Sequence, residues 1–322
     1  MKKRLLFLSS LFMFSVSIIG QVTDEEKNLR TANNDTIDGW KKGGLFSLNL
    51  SQASFSDWAG GGQNSINVNS SLYLFANLKK NKNRWDNMLN VGYGIFRQGD
   101  KGKFIKSDDK IELNSKYGRN ASKDWYYAAL LNFKTQMAPG YNYPNDSNII
   151  SNFLAPAYII AAIGMDYKPN DNFSAFIAPL TSKSTIVNVQ DLADAGAFGV
   201  TKASYDTSGN VIKHGEKYRS EFGGYIRLVY KSTLFKDKSV TILSNMDLFS
   251  NYLHNPQNID VNWETIIGLK VNKFISATIS TTLVYDDDIK LPVDGNGDGV
   301  KESFGPRLQL KEILAVGFSY KF

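Results

Sequence analysis

Along most of the chain, bulky apolar and polar or small residues alternate one for one. In Arg307–Phe322, the residues Leu314, Val316, Phe318, Tyr320 and Phe322 take every second position, with Ala315, Gly317, Ser319 and Lys321 between them. A period of two predicts a strand with two unlike faces. The pattern recurs in Leu45–Gln52, Ser65–Leu78, Trp85–Arg97, Lys110–Tyr117, Trp125–Met137, Tyr218–Leu234, Val240–Tyr252, Val261–Val271 and Ile275–Tyr285. Ala157–Tyr167 is apolar on both faces and alternates less clearly. Phe173–Val187 contains Pro179, which cannot donate to a ladder and so predicts a bulge or a break near the outer end of that strand.

Twelve such segments give an even count, as bacterial single-chain membrane barrels require. The connections separate into two kinds. Those after even strands are short, as at Lys79–Arg84, Asn120–Asp124 and Lys168–Asp171. Those after odd strands are longer, as at Ala138–Ala155, Asn188–Lys217 and Asp286–Pro306. Short periplasmic turns opposite longer extracellular loops predict an all-β, transmembrane, antiparallel up-and-down β-barrel with both termini on the periplasmic side. The competing fold is a soluble barrel or sandwich, which would have no reason for this asymmetry.

The N-terminus supplies an address. Lys2, Lys3 and Arg4 precede an apolar run from Leu5 to Ile19, the layout of a secretory signal peptide. Residues 1–20 read as that signal, 21–42 as a flexible periplasmic lead and 43–322 as the barrel. Cleavage fits near Gly20–Gln21, with a competing site after Ser17. Removing the three leader cations takes the formal charge from +6 to +3, too weak an excess to point to nucleic acid. The chain has no cysteine, hence no lipid-anchoring cysteine or disulfide framework. Aromatic residues make up 13%, with 16 Tyr and 20 Phe, which suits interfacial girdles against outer-membrane lipid. Phe318, Tyr320 and Phe322 read as the signal recognised by the barrel-assembly machinery.

Lipid cannot satisfy polar side chains, so the polar faces must line the lumen. That parity selects Lys110, Glu112, Lys116, Lys134, Arg219, Glu221, Arg227, Asp247, Glu264, Lys270 and Lys311. Both signs occur side by side, so the lumen is expected either to pair and plug itself or to form a narrow hydrophilic conduit. Glu312 stands on the apolar parity of the last strand and fits neither face; a bulge or a position at the outer rim would explain it.

Eight motifs point to a family. Phe55–Ser65, Arg84–Asn87, Asp108–Gly118, Phe133–Gln136, Pro139–Pro144, Ala155–Tyr158, Pro179–Lys183 and Gly305–Arg307 together resemble a Bacteroidetes family catalogued as domain of unknown function 3078. The resemblance spans nearly the whole mature chain. It implies an outer-membrane β-barrel and brings no substrate, activity or catalytic residue.

The most chemical stretch is Asp294–Glu302. Asp294, Asn296 and Asp298 match positions 1, 3 and 5 of a calcium loop, with Gly299 at the turn, the Val300 carbonyl at 7 and Glu302 at 9. Position 12 is Gly305, so the bidentate acid is missing and Ca²⁺ would bind weakly; the plain alternative is a polar turn. Asp286, Asp287 and Asp288 would add ligands or form a solvated rim. The glycines beside Trp58 lack the lysine of a phosphate loop. Tyr141 and Tyr143 belong to the outer girdle or stack on a sugar. The histidines are His214 and His254; for a nucleophilic hydrolase His254 would need a partner such as Ser250 or Asn251, on a strand whose neighbours alternate faces.

The reading is therefore a non-enzymatic outer-membrane barrel without a resident cofactor beyond weak Ca²⁺. It passes or binds a small hydrophilic solute. Alternatively it is a closed structural barrel whose loops dock a surface partner or Ca²⁺, or more remotely an outer-membrane hydrolase.

Overall fold

The computed structural model describes residues 38–321 apart from 57–59, 61, 100, 144, 171, 236–238, 271–274 and 294–302. Twelve antiparallel strands close into one barrel, each paired with its neighbours in the chain and the last with the first. The strands are β1 (Gly39–Ala53), β2 (Ser65–Lys80), β3 (Asn83–Gln98), β4 (Ile105–Asn120), β5 (Trp125–Thr135) and β6 (Ala157–Asn170). They continue as β7 (Phe173–Ile186), β8 (Tyr218–Leu234), β9 (Val240–Asn251), β10 (Ile259–Lys270), β11 (Ile275–Tyr285) and β12 (Gln309–Lys321). β1 starts at Gly39, before its alternation becomes visible, because Gly43 and Gly44 carry no side chain to show a face.

Closure pairs each strand with a neighbour on both sides over most of the ring, which lets backbone polar groups be satisfied there without water. The side chains are then distributed inside out relative to a soluble protein. Phe46, Leu48 and Leu50 on β1, Tyr127 and Leu131 on β5, and Leu310 and Leu314 on β12 are exposed on the outer wall. Ser47 and Asn49, Asn132, and Lys311 alternate with them. Aromatic rings ring the short-turn end: Trp40 lies 5.9 Å from Trp85, and Trp125 lies 4.8 Å from Tyr167. At the other end Phe222 meets Tyr252 edge-on at 6.1 Å. These bands are the interfacial girdles of a barrel in lipid.

The two ends differ as the chain pattern predicts. β2 and β3 join through a two-residue turn in which Asn81 takes φ 55°, a conformation Asn tolerates, and the Asn81 N–H donates to Asp38. The long connections fold on themselves. Gly140–Tyr141 pairs with Ile149–Ser151, Ser204–Tyr205 with Val211–Lys213, and Lys290–Val293 with Ser303–Pro306. Between Val187 and Lys217 lies a helical turn, Gln190–Asp194, and Ala155, Val187, Ala193 and Val200 bury one another there.

Pro179 produces the expected bulge, without breaking β7. The register slips against both neighbours, from Ile163↔Leu180 to Met165↔Ile177 and from Gly223↔Thr181 to Tyr225↔Ala178. Before the bulge, Phe176 and Ala178 are buried while Ile177 is exposed. After it, Thr181, Lys183 and Thr185 are buried, so the inward parity changes from even to odd.

The apolar second face of β6 also has its reason. Ile160 and Ala162 point into the barrel against Ala128, Leu130, Phe176, Ala178, Tyr225 and Phe249. An apolar wedge on the β5–β9 side therefore fills part of the lumen.

Candidate functional site: the charged lumen

The inward polar residues form three tiers. In the outermost, near the long loops, Lys183 Nζ donates to Asp260 at 2.6 Å and Asp286 at 3.2 Å, and lies 3.6 Å from Glu221. Arg219 donates to Glu221 at 3.0 Å, to Asp288, and to the Gly199 carbonyl at 3.1 Å, which ties the Asn188–Lys217 loop to the mouth. Across the mouth, Asp109 accepts the N–H groups of Met137 and Ala138 at 2.8 and 2.9 Å and pairs with Lys106. Folded loops and paired charges thus occupy this end.

In the middle tier, Arg227 binds Asp247 through two hydrogen bonds of 2.6 and 2.9 Å, and the Tyr225 hydroxyl donates to the same carboxylate at 2.6 Å. A two-pronged pair of this kind fixes both side chains. Lys110 lies 3.5 Å from Glu112 on its own strand and 3.4 Å from Glu264 on β10 across the lumen. Asn132 donates to Glu112 at 3.1 Å, and Lys311 pairs with Asp108 on β4. In the innermost tier, Lys116 donates to Asp166 at 2.8 Å, and Lys168 sits 3.3 Å from Asp166 and 3.7 Å from Asp86.

Between the tiers lies a cavity of about 370 Å³, running from Lys311 and Asp108 down to Asn170 and Asn172 at the short-turn end. Lys110, Glu112, Lys116, Lys134, Arg227, Asp247, Glu264 and Lys311 line it, as parity predicts. Arg219 and Glu221 belong instead to the mouth network. The side chain of Lys270 lies outside the described residues. Lys134 makes no ion pair among the described residues.

The lumen residues read from the sequence left out Lys183, Asp166, Lys168 and Asp86, although Asp86 stands on the polar parity opposite Trp85. Lys183 was hidden by the bulge. Asp166 and Lys168 alternate with Met165 and Tyr167, a readable signal inside a segment that otherwise looks apolar throughout. Glu312 is exposed on the outer face opposite Thr281, in an unbroken β11–β12 register, so no bulge accounts for it.

The remaining candidates fare unevenly. Asp294, Asn296, Asp298, Val300 and Glu302 lie outside the described residues. Asp286 and Asp288 are engaged by Lys183 and Arg219, and Asp287 accepts from Asn258 at 2.8 Å, so these acids are tied into the mouth network. Tyr141 and Tyr143 stack edge-on at 5.9 Å in their own loop. Trp58 lies outside the described residues. Ser250 Oγ donates to the Pro256 carbonyl at 2.6 Å and His254 meets Asn255 at 3.2 Å, so the Ser–His contact of a hydrolase is not made. His214 instead meets Asp194 at 2.9 Å in the long loop. Phe318 and Tyr320 pair through their backbones with Leu48 and Phe46; their side chains, and Phe322, lie outside the described residues.

Fold and lumen define a closed twelve-stranded barrel, apolar outside and charged within. Residues 50–141 match the model of a family described as "Protein of unknown function (DUF3078)". That segment holds the motifs from Phe55 to Gln136, while those at Ala155–Tyr158, Pro179–Lys183 and Gly305–Arg307 lie beyond it. No curated protein matches the chain. Among solved structures, an outer membrane channel from Pseudomonas putida F1 is similar at 8% identity and TM-score 0.38, covering 89% of this chain and 97% of that one. The translocator domain of the autotransporter NalP from Neisseria meningitidis is similar at 7% identity and TM-score 0.35, covering 90% of each chain. The β domain of the Bordetella autotransporter BrkA is similar at 10% identity and TM-score 0.31, covering 88% of this chain and 99% of that one.

Proposed function

We propose that this is an outer-membrane barrel, exported by a cleaved signal peptide, whose lumen binds and passes a small hydrophilic solute. The observation that carries the reading is the 370 Å³ cavity lined by lysine, arginine and carboxylate side chains and reaching the short-turn end. Asp86 and Asp166 each keep one buried carboxylate oxygen without a partner among the described residues, so the innermost tier has hydrogen-bonding capacity to offer a solute or water. The outer end is closed by the Lys183–Arg219 network and must open for passage.

The test is conductance of the refolded mature chain in a planar bilayer, beside a variant lacking 188–217. The expected result is small, infrequent steps that become frequent in the deletion variant and change ion preference in Glu112→Gln or Arg227→Gln. Silence from both proteins, each shown folded by its heat-dependent gel shift, would end the passage reading. A second reading has its own observation: the Asn188–Lys217 loop has a buried apolar nucleus and is anchored by Arg219, as a docking platform would be. Under that reading the loop deletion abolishes partner binding and leaves the bilayer silent.

A further inference from the structure

The barrel is closed unevenly. β1 and β12 pair over five residue pairs, from Leu45↔Lys321 to Asn49↔Gly317. Every other seam of the ring pairs over ten or more. Above Asn49 the two strands go separate ways. Leu50–Ala53 pair with Val68–Ser65 of β2, and Gln309–Val316 pair with Val284–Ala277 of β11. Among the described residues, neither stretch pairs with the other. Unpaired strand edges facing lipid cost several kcal/mol per backbone group, so water or a polar ligand must reach this part of the wall.

Three further observations converge on the same place. Outside the seam the wall is apolar and open: Leu50 is 60% exposed, Leu310 66% and Leu314 68%. Glu312, a charge on the lipid face with no bulge to explain it, sits on the unpaired stretch of β12, where water at the seam would solvate it. Inside, Lys311 and Ile313 of that stretch line the cavity, and Lys311 reaches across to Asp108 on β4 behind the opening. The route from lipid to cavity therefore passes leucines first and a half-exposed lysine second.

We propose that the upper β1–β12 seam is a lateral portal through which the cavity takes a single-chain anionic amphiphile, its acyl chain on Leu50, Leu310 and Leu314 and its anionic head on Lys311. The head replaces Asp108 as the partner of Lys311 and enters beside Lys110 and Lys134. A fatty carboxylate and a lysophospholipid phosphate share this chemistry. The proposal rests on the cavity and not on the passage of hydrophilic solutes.

The experiment is a fluorescence titration of the full mature chain, refolded in detergent, with dansyl-undecanoate, and in parallel with dansyl-glycine, which has the acid but no chain. Saturable, blue-shifted binding of dansyl-undecanoate alone is expected. Lys311→Gln should weaken it about ten-fold, the value of one charge-assisted hydrogen bond. Lys103→Gln, in a surface loop pair with Asp146, should leave it unchanged. Competition with unlabelled palmitate and with lysophosphatidylglycerol then separates the two head-group sources. Absence of saturable binding by a barrel with a normal heat-dependent gel shift would overturn the proposal, as would unchanged affinity in Lys311→Gln. Equal binding of dansyl-glycine would overturn it too, while leaving the hydrophilic-solute reading standing.

Discussion

Lys183 Nζ lies 2.6 Å from Asp260, 77 residues away in the chain, because a bulge at Pro179 turned it inward. Asp286 and Glu221 share the same ammonium. Removing one partner of a buried ionic cluster leaves the others uncompensated. Lys183→Met is therefore expected to destabilise the folded barrel by on the order of 3 kcal/mol. The exposed pair Lys103–Asp146 is a control, since Lys103→Met should change stability by less than about 1 kcal/mol. Urea unfolding from lipid vesicles, read by tryptophan fluorescence, measures both.

The bulge itself can be tested. Deleting Pro179 removes the extra residue, restores strict alternation and leaves Thr181, Lys183 and Thr185 facing the lumen, whereas deleting Ser182 keeps the bulge and sends Lys183 and Thr185 to the outer wall. A lysine on the lipid face costs up to about 2–4 kcal/mol at mid-membrane depth and less toward the interface. The Ser182 deletion is expected to abolish the heat-resistant folded band on gels, whereas the Pro179 deletion should retain it.

Asp247 holds both Arg227 and the Tyr225 hydroxyl. Asp247→Asn keeps the shape and removes the charge that balances Arg227. The expected outcomes are a shift of any lumen conductance toward anions and a loss of stability on the order of 2 kcal/mol. Tyr225→Phe removes one hydrogen bond and should cost about 1 kcal/mol without altering ion preference. Reversal-potential measurements in a salt gradient distinguish the two variants.

The long loop carries a pH dependence of its own. Asp194 accepts hydrogen bonds from His214, from Gln190 at 2.7 Å and from the Gly215 N–H at 2.6 Å, and these hold its carboxyl below the ordinary value, the His214 bond most of all. A depressed carboxylate stabilises the loop above its unfolded pKa, about 3.9, and that contribution is lost as pH falls through the folded value. Pepsin should therefore cut the Asn188–Lys217 loop slowly near pH 4 and faster as pH drops further, after correction for the enzyme's own profile. Asp194→Asn should be cut fast throughout, and a flat profile in the wild type would refute the assignment.

Much of this architecture is already set by single-residue alternation. A membrane barrel's faces meet two different solvents, so each strand records its orientation independently. That is why strand order, the parity of Glu112, Arg227 and Asp247, and the contrast between short turns and long loops could be read before any contact was known. What alternation cannot report is a change of parity. One extra residue at the Pro179 bulge reverses every position after it, and Lys183 became visible only through its partners on β8, β10 and the loop after β11. Nor can it report what stands across the lumen. The apolar second face of β6 gained its meaning from Phe176, Tyr225 and Phe249, and the pairing of Lys311 with Asp108 from barrel closure. The length of the β1–β12 seam likewise depends on where strands far apart in sequence meet, a long-range relation that no local pattern encodes.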